Sequence, residues 1–307
     1  MRSAYYEQFG KVCELKIGDI PPMPLGPDCV ELSVAGAGIN PVDYKAQHGY
    51  LAAAIETRFP VVPGWDVAGT ITAIGPAVTD FQVGDSVFGY ARMDLIEHGT
   101  AAEAMVAPAR LLAAAPTTID LITAAAVPLV GLTAYQLLTR LGIQRGETVL
   151  VHNASGGVGQ FAVQLARLAG ARVIGSSSPD NHAYLTGLGV EPVTYGPGLV
   201  DAVQKLAPAG IDVAVDLIGG DALEQSDAVL KPSGRVGSIA DGEGARKRAG
   251  AYIFVHPSPA DLTELARLID SGDLKVDVAA HYPLADAAAA YQRLEEGHVR
   301  GKIILVP

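Results

Sequence analysis

Cysteine is scarce in this sequence, where Cys13 and Cys29 are the only two among 307 residues. Two cysteines are too few for a disulfide framework, and they are too few for a metal site built from thiolates. Neither kind of cross-link is therefore expected to hold this fold together.

Long apolar runs are also missing. The most continuous one, residues 121–138, is interrupted by Pro128 and Gly131 and is rich in alanine and threonine. A membrane-spanning helix needs about 20 strongly apolar residues, so this run predicts a buried helix and its approach. Residues 1–10 lack the apolar core of a secretion signal. We therefore expect a soluble, cytoplasmic protein with no membrane partner.

Basic residues are outnumbered, with 22 Lys and Arg against 33 Asp and Glu and a formal net charge of −11. Binding to nucleic acid requires a basic face that neutralises phosphates, so nucleic acid is not an expected partner. Apolar residues make up 49% of the chain, which indicates a globular protein. The length is comfortable for two domains, each with its own core.

The spacing of apolar residues and turn residues along the chain changes near residue 118. The first third looks all-β, with short apolar or alternating runs between glycines and prolines, such as 29–34, 67–74 and 86–90. From Thr148 onwards, strand and helix patterns alternate as in βαβ units. The expected strands there are 148–152, 172–176, 211–217, 235–239 and 252–255, the expected helices are 158–168 and 259–269, and a terminal strand is expected at 302–306.

This pattern predicts an α/β protein in which a doubly wound parallel sheet is inserted into a β-rich domain. We assign residues 1–118 and 272–307 to the β-rich domain and residues 119–271 to the parallel sheet. A cofactor would then lie at the carboxyl ends of the parallel strands, in the cleft between the two domains.

A glycine-rich turn joins the first of these strands to its helix, with the sequence VLVHNASGGVG at 149–159. Ala154, Gly156 and Gly159 occupy the three positions of the dinucleotide fingerprint, with alanine in the first. Gly156 would let the backbone approach a pyrophosphate, and Gly159 would let helix and strand pack closely. A tight turn without a ligand is the alternative. The predicted contacts are Ala154, Ser155, Gly156, Gly157, Val158 and Gly159.

The end of the second parallel strand bears on the choice of cofactor. Sites that prefer NADH usually place a carboxylate there for the ribose 2′-hydroxyl. This sequence has Ser176, Ser177 and Ser178 instead, whose hydroxyls can hydrogen-bond a 2′-phosphate. The serines favour NADPH over NADH, although Asp180 does not suit a phosphate and the run could be an ordinary polar loop.

Six motifs along nearly the whole chain carry a resemblance to a known family. They are GINPVDYK at 38–45, PGWDVAG at 63–69, VGDSVFG at 83–89, GLTAY at 131–135, DLIGG at 216–220 and GHVRGK at 297–302. In this order they resemble the medium-chain dehydrogenase/reductase superfamily, and specifically its quinone oxidoreductase and enone reductase branch. The resemblance implies a GroES-like barrel, a Rossmann domain and a homodimer.

Zinc alcohol dehydrogenases of that superfamily carry a Cys and a His in the first two motifs. Asn40 and Trp65 stand at the matching positions here, and the four-cysteine structural zinc lobe is absent. Zinc requires three or four nitrogen, sulfur or oxygen ligands in one geometry. We therefore expect no zinc.

Without a metal to polarise a carbonyl, simple alcohol oxidation loses its main electrophile. A conjugated acceptor spreads the negative charge that arrives with hydride onto a remote oxygen, where hydrogen-bond donors suffice. The expected activity is therefore NADPH-dependent reduction of quinones or α,β-unsaturated carbonyls. The alternatives are a pathway-specific enoyl reductase and a non-catalytic NADPH-binding sensor or structural protein.

Candidate catalytic residues lie in the first motif. Asn40 could donate an amide hydrogen bond, Tyr44 could donate or relay a proton, and Lys45 could stabilise an enolate or contact the cofactor. Capping of a turn is the alternative for Asn40 and Asp43, and a place in the core is the alternative for Tyr44. Related quinone reductases often have their tyrosine one residue later.

Further cofactor contacts are expected from strand ends and from the resemblance. The resemblance places Thr133 at the nicotinamide half and Lys302 near the cofactor, with a surface salt bridge as the alternative for Lys302. The strand-end candidates are Leu217, Ile218, Gly219, Ile239, Ala240 and Val255.

Overall fold

The computed structural model describes residues 1–307, which form two compact units. The first, which we call the β-rich unit, comprises Met1–Leu129, Pro257–Gly272 and Val276–Pro307. The second, the parallel-sheet unit, comprises Val130–His256 and Asp273–Lys275. No helix has both the length and the apolarity that a membrane crossing requires.

The chain forms seventeen strands and ten α-helices. The strands are β1 Arg2–Tyr5, β2 Lys16–Asp19, β3 Cys29–Gly38, β4 Glu56–Val62, β5 Asp66–Ile74, β6 Ser86–Tyr90, β7 Leu95–His98, β8 Ala104–Pro108, β9 Leu112–Ala114, β10 Thr148–Val151, β11 Arg172–Ser177, β12 Glu191–Thr194, β13 Ile211–Asp216, β14 Leu230–Ser238, β15 Ala251–Tyr252, β16 Val278–Pro283 and β17 Lys302–Val306. The helices are α1 Pro41–Gln47, α2 Leu121–Ala124, α3 Pro128–Leu141, α4 Gly157–Leu168, α5 His182–Gly187, α6 Leu199–Leu206, α7 Ala222–Asp227, α8 Gly242–Lys247, α9 Pro259–Asp270 and α10 Ala287–Glu295.

The β-rich unit is built on a seven-stranded sheet in the order β16-β17-β3-β5-β6-β9, with β8 also paired to β3. Alternate residues of β3 are buried, among them Val30, Leu32 and Val34, as expected for a strand with one face on a core. The C-terminal strand β17 pairs antiparallel with the end of β3, so the tail completes the sheet that the first third begins.

Two differences from the sequence-based expectation concern this unit. The first third is not all-β, because α1 follows β3 directly. The helix α9, which the sequence placed with the parallel sheet, belongs to the β-rich unit because it packs against β9. Asp270 at its end also accepts hydrogen bonds from the backbone N–H groups of Thr117 and Thr118, at 2.8 and 2.9 Å.

The parallel-sheet unit contains six strands in the order β12-β11-β10-β13-β14-β15, all parallel. The first strand in sequence, β10, lies in the middle, so the order reverses between β10 and β13. This is the doubly wound arrangement with a switch point at which such sheets bind their ligands, and it confirms the predicted fold class. Sequence patterning missed the short strand β12, and the predicted strand 252–255 is only β15, Ala251–Tyr252.

Candidate cofactor and catalytic sites

The glycine turn between β10 and α4 has a backbone that side chains would disrupt. A Cβ atom at Gly159 would lie 2.2 Å from the carbonyl oxygen of Asn153, so only glycine allows the helix to approach the turn this closely. Asn153 itself has φ 54°. The N–H of Ala154 donates to the carbonyl of Ser176 at 2.9 Å, which holds the turn against the end of β11.

The six predicted residues from Ala154 to Gly159 form one continuous turn that leads into the first turn of α4. Gly156 is the N-cap and has no side chain to accept a hydrogen bond from the helix. The N–H groups in the first turn of a helix have no partner within the helix. Together with the helix dipole they form a site suited to a phosphate group.

The three serines at the end of β11 differ in their surroundings. Ser176 is buried, and its Oγ accepts a hydrogen bond from Asn153 N at 3.2 Å, so it supports the glycine turn. Ser177 is also buried and donates to the carbonyl of Ser178 at 2.9 Å. Ser178 is half-buried and accepts from Asn181 Nδ2 at 3.2 Å, whereas Asp180 is exposed. Ser178 is therefore the serine of this run that solvent reaches.

A buried carboxylate at the start of the DLIGG motif, Asp216, holds two loops at the ends of β13 and β14. Asp216 Oδ1 accepts the N–H groups of Ile218 and Gly219 at 2.9 and 2.8 Å, and its Oδ2 accepts Ser238 Oγ at 2.6 Å. Ser238 Oγ accepts in turn from the N–H of Ala240 at 3.0 Å. This network brings together the predicted contacts of both loops: Leu217, Ile218, Gly219, Ile239 and Ala240.

His152, which sequence analysis did not identify, lies buried under the turn. Its Nε2 is 2.8 Å from Ser226 Oγ, and that hydroxyl donates to the carbonyl of Ala222. Because the serine hydrogen is already used, His152 must be the donor to Ser226. Burial lowers the pKa of His152 to about 4, against a smaller opposing effect of Asp216. The imidazole is therefore neutral, and its hydrogen bond to Ser226 holds His152 in place directly before Asn153.

Gln136 on α3 makes a pair of hydrogen bonds to His256, and two predicted cofactor contacts lie near these residues in the chain. Gln136 Nε2 donates to the carbonyl of His256 at 2.9 Å, and its Oε1 accepts the His256 N–H at 3.2 Å. Thr133 lies one helical turn before Gln136, and Val255 directly precedes His256. Both are buried. The sequence predicted that Val255 ends a strand. In the structure it lies three residues beyond the end of β15.

In the β-rich unit, Asn40 is the N-cap of α1 and is 1% exposed. Asp43 Oδ2 accepts the Asn40 N–H at 2.8 Å, which completes a capping box. Asn40 Nδ2 donates to Asp66 Oδ2 at 2.8 Å, and Asn40 Oδ1 accepts from Lys302 at 2.5 Å. Asn40 Nδ2 also lies 3.4 Å from the Gly38 carbonyl oxygen, so both of its N–H groups have partners within the protein. The predicted role of Asn40 as a donor to substrate therefore does not fit, and the capping alternative does.

Lys302 is 3% exposed and reaches three acceptors: the Ile39 carbonyl at 2.7 Å, Asn40 Oδ1, and Asp66 Oδ2 at 3.4 Å. An ammonium group has three N–H bonds, so none is left for a cofactor. The cofactor contact predicted for Lys302 therefore does not fit, and neither does the surface salt bridge considered as its alternative, because the ion pair with Asp66 is buried.

The charge of Lys302 acts on two buried carboxyl groups, those of Asp43 and Asp66. Burial raises the pKa of Asp43 to about 7, an effect that Asp66 reinforces and Lys302 opposes. Burial also raises the pKa of Asp66, while Lys302 and the hydrogen bond from Asn40 act in the opposite direction. Asp66, which contacts the ammonium, is the better placed of the two carboxyls to be ionised, and Asp43 is the one that retains a proton.

Tyr44 and Lys45 lie on α1 but face different surroundings. Tyr44 is half-buried, and burial together with Glu295 raises its pKa. Its ring meets His48 edge-on at 6.1 Å, and His48 Nε2 lies 2.8 Å from Glu295 Oε1. Lys45 is exposed. Of the three predicted catalytic residues, Tyr44 is the one with both a polar hydrogen and partial shielding from solvent.

The residues present do not fit a zinc ion. Trp65 offers no ligand atom in place of a histidine and packs edge-on against Tyr90, with ring centroids 6.0 Å apart. The side-chain oxygen of Asn40 is bonded to the Lys302 ammonium. No three His, Cys, Asp or Glu side chains in the 307 residues are grouped so that they could hold a metal ion.

Two family models match the chain. The one described as an alcohol dehydrogenase GroES-like domain matches residues 26–117, and the one described as a zinc-binding dehydrogenase matches residues 188–305. The chloroplast envelope quinone oxidoreductase homolog of Arabidopsis thaliana is 31% identical over 90% of this chain and 89% of its own. The NADPH-dependent alkenal/one oxidoreductase of the same plant is 32% identical over 100% of this chain and 80% of its own.

A mycobacterial protein whose structure was solved in complex with NADPH has the same fold. It superposes with a TM-score of 0.88 at 27% identity, and the match covers 100% of both chains. The likeness spans the barrel as well as the parallel sheet, in agreement with the two family models, and it confirms the resemblance inferred from the motifs. The chain therefore belongs to the medium-chain dehydrogenase/reductase superfamily, in its quinone oxidoreductase branch.

Proposed function

We propose that this protein is an NADPH-dependent reductase that transfers hydride to quinones or α,β-unsaturated carbonyl compounds without zinc. The observation that carries the proposal is the glycine turn between β10 and α4, whose backbone requires Gly159 and leads into free helix amides. The names of the two plant relatives support the acceptor class.

The bound dinucleotide supplies the hydride, and the chain supplies binding and orientation. The first-turn amides of α4 bind the pyrophosphate. Asp216 and Ser238 hold the loops after β13 and β14 in place. A conjugated acceptor needs hydrogen-bond donors at its oxygen rather than a metal ion, which agrees with the unsuitability of Asn40 and Trp65 as zinc ligands.

The preference for NADPH rests on the groups at the ends of β11 and β12. The last residues of β11 carry hydroxyls and no carboxylate, and Ser178 is accessible. His182, at the start of α5, is half-buried, and its Nε2 lies 3.5 Å from Thr194 Oγ1 at the end of β12. The hydroxyl of Ser178, the side-chain amide of Asn181 and the imidazole of His182 can all donate to a 2′-phosphate. The exposed Asp180 opposes this preference.

Tyr44 is the proposed donor of a hydrogen bond or proton to the acceptor. A phenol is protonated near neutral pH, and the raised pKa of Tyr44 favours donation of a hydrogen bond over release of the proton. Asn40 and Lys302 act indirectly in this proposal, because they fix the start of the helix that carries Tyr44.

We further propose that the protein is a homodimer that pairs through β15. This short strand is at one edge of the parallel sheet, and Tyr252 at its end and Phe254 just beyond it are 41% and 51% exposed. An unpaired edge with exposed aromatic side chains favours pairing with a second copy. Light scattering should give twice the chain mass for the wild type and a lower mass for Phe254→Asp, and a wild-type monomer would contradict the proposal.

The activity is tested by mixing the purified protein with NADPH and either a naphthoquinone or an alkyl vinyl ketone, and following the absorbance of the reduced nicotinamide. We expect oxidation of NADPH with both acceptors, slower oxidation with NADH, no reaction with a saturated ketone, and no loss of rate after treatment with a chelator. Tight binding of NADPH without turnover of any acceptor would instead indicate the non-catalytic alternative. Turnover of a single enoyl thioester alone would indicate the pathway-specific reductase.

A further inference from the structure

A small cavity lies inside the β-rich unit, beside α1 and β7, and none of the proposed reaction steps uses it. Its volume is about 10 Å³, and its walls include Ala46, Val62 and Ile96. A cavity needs at least about 10–15 Å³ of this kind to hold one water molecule. The space is therefore at the size of a single water and too small for an organic ligand.

Three of the side chains that line this cavity have a polar atom without a partner. Tyr6 OH, Asp43 Oδ1 and His98 Nδ1 are each buried and make no hydrogen bond within the protein. Tyr6 is 2% exposed and Asp43 is 3% exposed, so bulk water does not reach them freely. Buried polar atoms nearly always have a hydrogen-bond partner, either in the protein or in an ordered water.

The hydrogen-bonding capacities of the three groups that line this cavity are complementary. Asp43 Oδ2 already accepts the Asn40 N–H, so the proton of a neutral carboxyl lies on Oδ1. The pKa of Asp43, which burial raises to about 7, agrees with a neutral carboxyl below neutral pH. Tyr6 can donate as well, and a neutral His98 can accept at Nδ1.

We propose that this cavity binds one water molecule, which accepts hydrogen bonds from Asp43 and Tyr6 and donates one to His98. Three hydrogen bonds are the usual number for a buried water. The water gives the outer oxygen of Asp43 a partner, so the carboxyl can keep its other oxygen in the capping box of α1. A bound cation is the less suitable occupant, because the carboxyl that faces it holds a proton.

The test is a high-resolution crystal structure of the wild-type protein. We expect one solvent peak within hydrogen-bond distance of Tyr6 OH, Asp43 Oδ1 and His98 Nδ1. An empty cavity would overturn the proposal, and so would a peak with the anomalous signal or the short distances of a metal ion. In solution, the ring protons of Tyr6 should show cross-relaxation with a long-lived water, and the absence of this signal would count against the water in the same way.

Two matched variants distinguish a hydroxyl that lines the cavity from one that contacts Asp43 outside it. Tyr6→Phe removes one of the three partners, so the occupancy of the solvent peak should fall. Tyr291→Phe removes the hydroxyl that lies 3.5 Å from the other oxygen of Asp43, and this tyrosine does not line the cavity. The peak should persist in Tyr291→Phe, and its equal loss in both variants would show that Tyr6 does not hold it. The wild-type measurements decide the matter if either variant does not fold.

Discussion

Lys302 in the last strand donates a hydrogen bond of 2.5 Å to Asn40, which begins the first helix 262 residues earlier in the chain. The same ammonium group lies 3.4 Å from Asp66 Oδ2, and both of these charged groups are buried. The segment that carries the proposed catalytic tyrosine is therefore attached at its start to the C-terminal strand. The start of α1 and the buried ion pair therefore share the ammonium group of Lys302.

Replacement of Lys302 by methionine should destabilise the protein strongly, because it leaves the carboxylate of Asp66 buried without a counter-charge. The loss of one partner of a buried pair costs about 3–5 kcal/mol. Urea unfolding measures the change. Lys45→Met is the control, since Lys45 is exposed and surface substitutions usually change stability by less than about 0.5 kcal/mol.

The double variant Lys302→Met/Asp66→Asn tests the cause of that loss. It removes the uncompensated charge, so we expect it to be more stable than Lys302→Met alone. If the double variant were less stable than the single one, the ion pair would not explain the effect.

The pH dependence of stability should reveal the buried carboxyl of Asp43. Its pKa is about 7 in the folded protein against 3.8 for an aspartate in water, so the folded state binds more protons between these values. The stability that a neutral Asp43 contributes is fully present below pH 3.8 and is lost as the pH rises through about 7. The unfolding free energy of the wild type relative to that of Asp43→Asn should therefore fall as the pH rises through this range, and urea unfolding of both proteins measures the difference.

Asp180→Asn is the control, because it changes an exposed carboxylate and should leave the pH profile of the wild type intact. The same decline in Asp43→Asn as in the wild type would assign the titration to another group.

The parts of the molecule that the sequence could predict are those that depend on local pattern. Alternation of polar and apolar residues predicted the core strands, and glycine spacing predicted the turn at Ala154–Gly159. The chemistry of a single side chain could also be predicted from the sequence, since tryptophan offers no ligand atom to zinc wherever it lies. The strand β12 was missed because its four residues include Pro192 and are too few to show a period.

Contacts between residues far apart in the chain could not be predicted from local sequence pattern. Nothing in the pattern near Asn40 or Lys302 indicates that the two meet, so their side chains were interpreted as free to contact substrate and cofactor. Burial of a polar group depends on the packing of distant segments. For the same reason His152 and Ser226 were not identified, although a histidine at the end of a buried strand could have suggested a buried imidazole.

His152 should give a pH dependence of the opposite sign to that of Asp43. Its pKa is about 4 in the folded protein against 6.5 for a histidine in water, because burial disfavours the imidazolium. The contribution of the neutral imidazole is fully present above pH 6.5 and is lost as the pH falls towards about 4. His152→Gln does not titrate and can still donate to Ser226, so the difference in unfolding free energy between wild type and variant should shrink or reverse with falling pH.

Many carboxylates titrate in the same range, and the comparison removes them because both proteins contain them. A difference that stays constant across the range would show that His152 is not buried as a neutral group.

The glycine turn makes the clearest prediction for cofactor binding. In Gly159→Ala the new Cβ would lie 2.2 Å from the carbonyl oxygen of Asn153, so the turn or the start of α4 must shift. We expect the Kd for NADPH to rise at least about tenfold, which corresponds to ~1.4 kcal/mol. Titration calorimetry measures the binding, and thermal unfolding shows whether the variant remains folded.

Gly187→Ala is the matched control, because Gly187 lies at the end of α5 and a Cβ there meets no atom within 4 Å. It introduces the same methyl group in the same unit and should leave the affinity for NADPH unchanged. Equal affinities in Gly159→Ala and Gly187→Ala, with both proteins folded, would mean that the pyrophosphate does not bind at this turn. A loss confined to Gly159→Ala would place the phosphate groups at the start of α4, where the helix amides have no other partner.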